Sequence, residues 1–208
     1  AGVYADQCSA VFLSLTTGEV LWTLERMMVG QYCDGHAESI NVDGAPGDEL
    51  IISGSRGFQD GSVGVAVLNP VAQTLAWKYE YGADQPEMLS SVARSALGDL
   101  DGDGQLELVL SVFDNTAEIS TLQDGVLAPD AWAVVVYDAV TGALKGQLVD
   151  RKMSGWFDAD MDGDLELVTQ QTRPGASLEL TFGALEVWDL EDASLSLFAS
   201  LENARPVR

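Results

Sequence analysis

Apolar residues in this chain fall in short alternating, β-branched runs separated by polar turns. Four such segments, AVFLSLTTGEVLW, VAVLNPVAQTLAW, VVVYDAVTGALKG and LEVWDLEDASLSL, align on Phe12, Val67, Val136 and Val187. Each predicts a strand, a turn and a returning strand. Gly18 and Gly142 stand where such a turn requires positive φ, which glycine adopts without steric penalty. Trp22 and Trp77 recur at one place in the second strand of their hairpins, as expected of aromatics packed between neighbouring sheets. A stacking platform for a ligand is the alternative reading.

A second pattern precedes the hairpins. DLDGDGQLELV begins at Asp99, DADMDGDLELV at Asp158 and a degraded copy, NVDGAPGDELI, at Asn41. The copies lie about 58 residues apart, the length of a structural unit rather than of a single loop. A strand entering the loop, a strand leaving it and the hairpin make four antiparallel strands per unit. Four-stranded units at this period predict an all-β fold of propeller blades stacked around an axis. The expected organisation is a single repeat domain with residues 1–34 as a half blade, then blades at 35–89, 90–153 and 154–208. About three and a half blades make a partial propeller, because even the smallest propellers have about four. The remaining blades are expected from the same polypeptide or, second in preference, from another subunit. The segment following Phe113 predicts an exposed insertion, either a ligand-binding loop or an ordinary surface excursion.

The loops place side-chain oxygens at alternate positions: Asp99, Asp101, Asp103 and Glu107, then Asp158, Asp160, Asp162 and Glu166. Gathered carboxylates repel unless a cation sits among them, and hard oxygen donors without His or Cys suit Ca2+. Gly102, Gly104 and Gly163 allow the tight curl, and Gln105 and Asp164 are expected to contribute backbone carbonyls. Two calcium sites are predicted, with a degenerate third at Asn41, Asp43 and Glu49, where Ala45 replaces the third carboxylate. An EF-hand is excluded, because its bidentate twelfth-position Glu is here Leu110 or Thr169 and both loops lead into strands.

Charge narrows the partners. With 33 acidic and 10 basic residues the formal net charge is −23, the wrong sign for nucleic acid or anionic lipid. No stretch reaches the roughly 20 apolar residues of a membrane-spanning helix. Cys8 and Cys33 flank the first hairpin and are expected either to form a disulfide or to remain separate thiols. A disulfide and weak calcium loops both favour an extracellular, cell-surface or periplasmic location. His36, the only histidine, lies near Cys33 and Asp34 but has no identifiable catalytic partner and reads as a turn residue.

The run Asp99 to Val109 resembles the FG-GAP and VCBS repeats of integrin alpha-subunit propellers and many secreted bacterial proteins. The resemblance covers nearly the whole chain. In that family the loop joins the first two strands of a blade and holds calcium, which implies that role for Asp99, Asp101, Asp103, Gln105 and Glu107, and for Asp158, Asp160, Asp162, Asp164 and Glu166. The family usually has Asp at the ninth position, where this chain has Glu107 and Glu166. Repeated metal loops with no convergent catalytic set predict a non-catalytic adhesion or assembly module with a protein or glycan ligand. Two alternatives are the scaffold of a secreted polysaccharide lyase or hydrolase, since some such lyases use propellers with similar calcium loops, and a structural subunit of a surface filament.

Overall fold

The computed structural model describes residues 7–29, 34–58, 62–81, 96–114, 131–172, 183–191 and 194–201. Among these residues the chain forms fourteen strands and no helix. β1 (Gln7–Leu13) and β2 (Val20–Val29) pair as a ribbon. The first four-stranded sheet contains β3 (Asp34–Ile40), β4 (Glu49–Phe58), β5 (Ser62–Asn69) and β6 (Thr74–Tyr81). The second contains β7 (Leu97–Gly98), β8 (Glu107–Asp114), β9 (Ala131–Asp138) and β10 (Leu144–Val149). The third contains β11 (Arg151–Phe157), β12 (Glu166–Gln171), β13 (Leu185–Glu191) and β14 (Ser194–Leu201). Within every sheet, strands neighbouring in sequence pair antiparallel, so no connection crosses over.

The middle strands carry apolar side chains on both faces, because successive residues of a strand point to opposite sides. On β8 and β9, Leu108, Leu110, Val112, Ala133, Val135 and Tyr137 share one core with Val65, Val67 and Trp77 of the first sheet. The intervening Val109, Val134 and Val136 share another with Leu167 and Leu190 of the third. A third, smaller core joins Ala66 and Leu68 on β5 to Trp22 and Leu24 on β2. The sheets therefore pack face to face in chain order, with the second sheet covered on both sides. Burying each large aliphatic side chain contributes about 1.5–3 kcal/mol, so these interfaces carry much of the stability. At the two ends of the stack, apolar side chains face outward: Val20 is 61% exposed on β2, and Phe198 and Leu201 are 49% and 63% exposed on β14.

The hairpin turns repeat one device. Ser14, Asn69 and Asp138 accept backbone N–H groups within their turns, from Thr17 at 3.1 Å, Ala72 at 2.8 Å and Thr141 at 2.6 Å. Four residues after each of these, the backbone turns left-handed: Gly18 has φ +73°, Gln73 +57° and Gly142 +72°. Phe12 pairs with Trp22 and Val67 with Trp77, and Val136 pairs with Gly146. Trp77 packs between sheets as the sequence suggests. Its Nε1 donates to the Ala139 carbonyl at 3.0 Å, and its ring lies against Gly142, where an added Cβ would come within 2.6 Å of the indole. Gly146 occupies the tryptophan position because Leu195 of β14 fills that space, 2.7 Å from where a Cβ would lie.

Between the second and third sheets only Asp150 intervenes, at φ +60°. It donates its N–H to the Trp132 carbonyl and accepts one from Thr172 at its own carbonyl, tying the two sheets at their junction. Arg151 then forms a two-armed ion pair with Glu186, at 2.9 and 3.3 Å, while its guanidinium lies over Trp188. The expected Cys8–Cys33 disulfide involves Cys33, which lies outside the described residues. So does most of the insertion after Phe113. His36 falls on strand β3 rather than in a turn, and pairs with Ser53 of β4.

Candidate metal centres

Each acidic loop connects the first two strands of a four-stranded sheet: β3 to β4, β7 to β8 and β11 to β12. Their shared geometry begins with the ninth-position glutamates. Glu49, Glu107 and Glu166 open β4, β8 and β12, and all are buried, at 4%, 0% and 2% exposure. One Oε2 in each case accepts the N–H of the loop's second residue: Val42 at 3.0 Å, Leu100 at 2.7 Å, and Ala159. The glutamate therefore staples the loop's entry to its exit, a role the sequence did not disclose. A buried carboxylate satisfied on one oxygen retains acceptor capacity on the other, since it offers about four lone-pair sites.

In the second loop, Asp99 Oδ2 accepts from Gly104 N–H at 3.1 Å and Asp103 Oδ1 from Gln105 N–H at 2.7 Å. The first bond closes the loop across five residues and the second is an Asx turn, and the curl between them uses the left-handed residues Gly102 and Gly104, at φ +66° and +85°. Oxygens of Asp99, Asp101 and Glu107 converge within 4.8 Å of one another. Asp99 Oδ1 is buried there without a hydrogen-bond partner. Asp103 stands at the rim, and the Gln105 side chain donates to it at 3.1 Å. The backbone N–H of Gln105, then the charge of Lys145 and the Gln105 side-chain N–H, hold the Asp103 carboxyl below its ordinary pKa against its desolvation.

Lys145, on β10, enters this loop. Its Nζ donates to Asp101 Oδ2 at 2.6 Å and Glu107 Oε1 at 2.7 Å, and lies 3.6 Å from Asp103 Oδ2. Burial opposes the lysine charge, but these hydrogen bonds overcome it and raise its pKa. Burial likewise pushes the Glu107 carboxyl up, against the pull of Lys145 and Leu100. Sequence reading missed this lysine. Its signal was a single basic residue in the hairpin VVVYDAVTGALKG, at a place where the other hairpins are uncharged.

The third loop repeats the turn pattern. Asp158 Oδ1 accepts from Met161 N–H at 2.5 Å, Asp160 Oδ1 from Asp162 N–H at 3.1 Å, and Asp162 Oδ1 from Asp164 N–H at 3.0 Å. Oxygens of Asp158, Asp160 and Glu166 gather within 4.8 Å of one another. Among the described residues, no lysine or arginine forms an ion pair with this loop. Burial raises the Glu166 pKa. Met161 occupies the place of Gly102, left-handed at φ +68° and 89% exposed. The second and third loops touch, because the Asp164 carboxylate lies over Gly102, 2.1 Å from where a Cβ would stand. Desolvation at that contact, together with Asp162, Asp99 and Asp101, raises the Asp164 pKa.

The first loop closes without such a cluster. Asn41 Oδ1 accepts from Gly44 N–H at 2.7 Å, which fixes its amide orientation, and Nδ2 donates to the carbonyls of Ala45 and Gly47. Asp43 accepts from Ala45 N–H, and Asn69 donates to Glu49 Oε1 at 3.0 Å. Asn41, Asp43 and Glu49 are therefore engaged within the loop and with Asn69, and among the described residues the convergent acidic sets are those of the second and third loops.

Both of those sets are built from hard oxygen donors. They could hold a metal ion of the magnesium, calcium or manganese type, and the orphaned Asp99 oxygen is an acceptor such an ion would satisfy.

No family model matches the chain, and no curated protein matches it. Among solved structures it is similar to rhamnogalacturonan lyase YesW, with 17% identity, a TM-score of 0.50 and 94% of this chain covered. It is also similar to the exotype rhamnogalacturonan lyase YesX, with 16% identity, a TM-score of 0.51 and 94% of this chain covered. The chain spans 37% and 36% of those two chains. At these identities the likeness is one of fold.

Proposed function

We propose that this chain is a calcium-binding portion of a β-propeller scaffold belonging to a secreted polysaccharide lyase that acts on an acidic, rhamnogalacturonan-like glycan. The observation that carries this reading is the structural likeness of 94% of the chain to each of two rhamnogalacturonan lyases. That likeness favours the lyase scaffold over the adhesion or assembly role suggested by the FG-GAP and VCBS motif. The four-stranded sheets are its blades. The apolar faces left on β2 and β14 are where further blades would stack, from the same polypeptide or another subunit.

Calcium is the metal this reading assigns, because all-oxygen sets of carboxylates in loops that begin β-strands match its coordination chemistry. Bound there, it would neutralise the crowded carboxylates and lock the corner between a blade's first two strands. A net charge of −23 would repel a polyanionic glycan, so much of this chain's surface acts as scaffold rather than substrate cleft. Glycan contacts then require bridging dications or positive charge elsewhere in the assembled propeller.

The test is an assay of the polypeptide containing this chain on rhamnogalacturonan and on homogalacturonan, following ultraviolet absorbance of the unsaturated product. Calcium-dependent eliminative cleavage of one of them is expected. A protein that neither cleaves nor binds either glycan in calcium removes the lyase reading and returns the adhesion role to first place.

A further inference from the structure

The three loops share one backbone plan but differ in what sits among their oxygens. In the first, the Asn41 amide donates into the loop and Asn69 occupies the second oxygen of Glu49. In the second, the Lys145 ammonium lies between Asp101 and Glu107, with Asp103 at 3.6 Å. In the third, Asp158, Asp160 and Glu166 converge with no cationic side chain paired to them among the described residues.

We propose that Lys145 is a built-in cation that competes with calcium for the second loop, leaving the third loop as the high-affinity site. This rests on the calcium reading above and refines it. A lysine ammonium supplies one charge and three donors, and it satisfies Asp101 and Glu107 at 2.6 and 2.7 Å. Its side chain is 14% exposed and Glu107 is fully buried, so the pair is shielded from the solvent screening that weakens surface ion pairs. A dication must break both charge-assisted hydrogen bonds before it can use the same oxygens. Its compensation is Asp99 Oδ1, the buried acceptor that is without a hydrogen-bond partner. The second loop therefore binds calcium, but more weakly by roughly ten- to a hundredfold, the equivalent of one or two such bonds.

The device is local to the second sheet. Lys145 is the bulged residue between the partners of Tyr137 and Val136, and the corresponding bulged residues of the other three hairpins are Leu21, Ala76 and Phe198. None of those can place a charge in a neighbouring loop. The second loop thus keeps its shape at low calcium through its own lysine, whereas the third depends on the ion.

Calorimetric titration of the chelator-stripped protein with calcium chloride separates the possibilities. The wild-type protein is expected to take up one tight equivalent, with a second at least tenfold weaker. Lys145→Met should take up two tight equivalents. Glu166→Gln should abolish the tight equivalent and Glu107→Gln should leave it, a comparison that does not depend on the lysine variant folding. Two equally tight equivalents in the wild type, or loss of the tight one in Glu107→Gln, would overturn the lysine inference while leaving the calcium reading intact. Absence of uptake in every variant would overturn both.

Discussion

Replacing Gly142 by Ala tests how the first and second four-stranded sheets are held together. Gly142 has φ +72°, and a Cβ there would sit 2.6 Å from the Trp77 indole. The left-handed conformation alone costs an L-residue about 1–2 kcal/mol. Carbon atoms normally approach no closer than about 3.5 Å, so the indole must also retreat by almost an ångström. Trp77 is held by its 3.0 Å hydrogen bond to the Ala139 carbonyl and by ring contacts with Tyr79 and Tyr137, so that retreat costs about a further 1–2 kcal/mol. The expected total is about 2–4 kcal/mol. Gly18 provides the control. It occupies the same turn position at φ +73° with nothing within 4 Å of an added Cβ, so Gly18→Ala should cost the backbone strain alone, about 1–2 kcal/mol. Gln73 is the reverse case. It adopts φ +57° at the equivalent position, and Gln73→Gly should gain up to about 1 kcal/mol, reduced by the larger conformational entropy of glycine in the unfolded chain. Urea denaturation in calcium, followed by tryptophan fluorescence, measures all three. With a slope of about 2 kcal/mol/M, Gly142→Ala should lower the midpoint by about 1–2 M. If its cost falls within about 0.5 kcal/mol of Gly18→Ala, the indole contact contributes nothing and the role assigned to Trp77 is wrong.

Three further outcomes follow from the described geometry. Met161→Gly should raise stability by up to about 1 kcal/mol in chemical denaturation, whereas Met161→Ala should not, because the residue is 89% exposed and only its left-handed backbone is at issue. Glu186→Gln should cost about 2–3 kcal/mol, measured the same way, because it leaves the partly buried Arg151 guanidinium without its two-armed partner; a loss below about 0.5 kcal/mol would show the pair to be ornamental. In chelator, the melting temperature should rise as pH falls from about 7 to about 5. Burial raises the folded-state pKa of Glu166, and desolvation together with neighbouring carboxylates raises that of Asp164, so the stability tied to these two groups is complete below their unfolded values and is lost as pH rises through the folded ones. Asp103, whose pKa is lowered, gives the opposite slope, but only below the ordinary carboxylate range. In saturating calcium the trend should reverse, since protons displace the metal from its ligands.

Local chemistry written in the sequence determined the strands, the hairpin turns and the acidic loops. Alternating apolar residues define strand faces, Gly18 and Gly142 mark positive φ, and the spacing of Asp99, Asp101 and Glu107 makes oxygens converge whenever the loop is followed by a strand. These are short-range consequences of backbone sterics and side-chain reach, and a residue pattern carries them directly. What sits among those oxygens was settled only by tertiary packing. Lys145 is 38 residues from Glu107 and reaches it from β10, on the far side of β9, while Asn69 reaches Glu49 from the end of β5. Asp164 touches Gly102 only because the second and third sheets stack face to face. Loops nearly identical in sequence thus acquire different electrostatic surroundings, because a charge acts through space and its nearest partner is chosen by the fold.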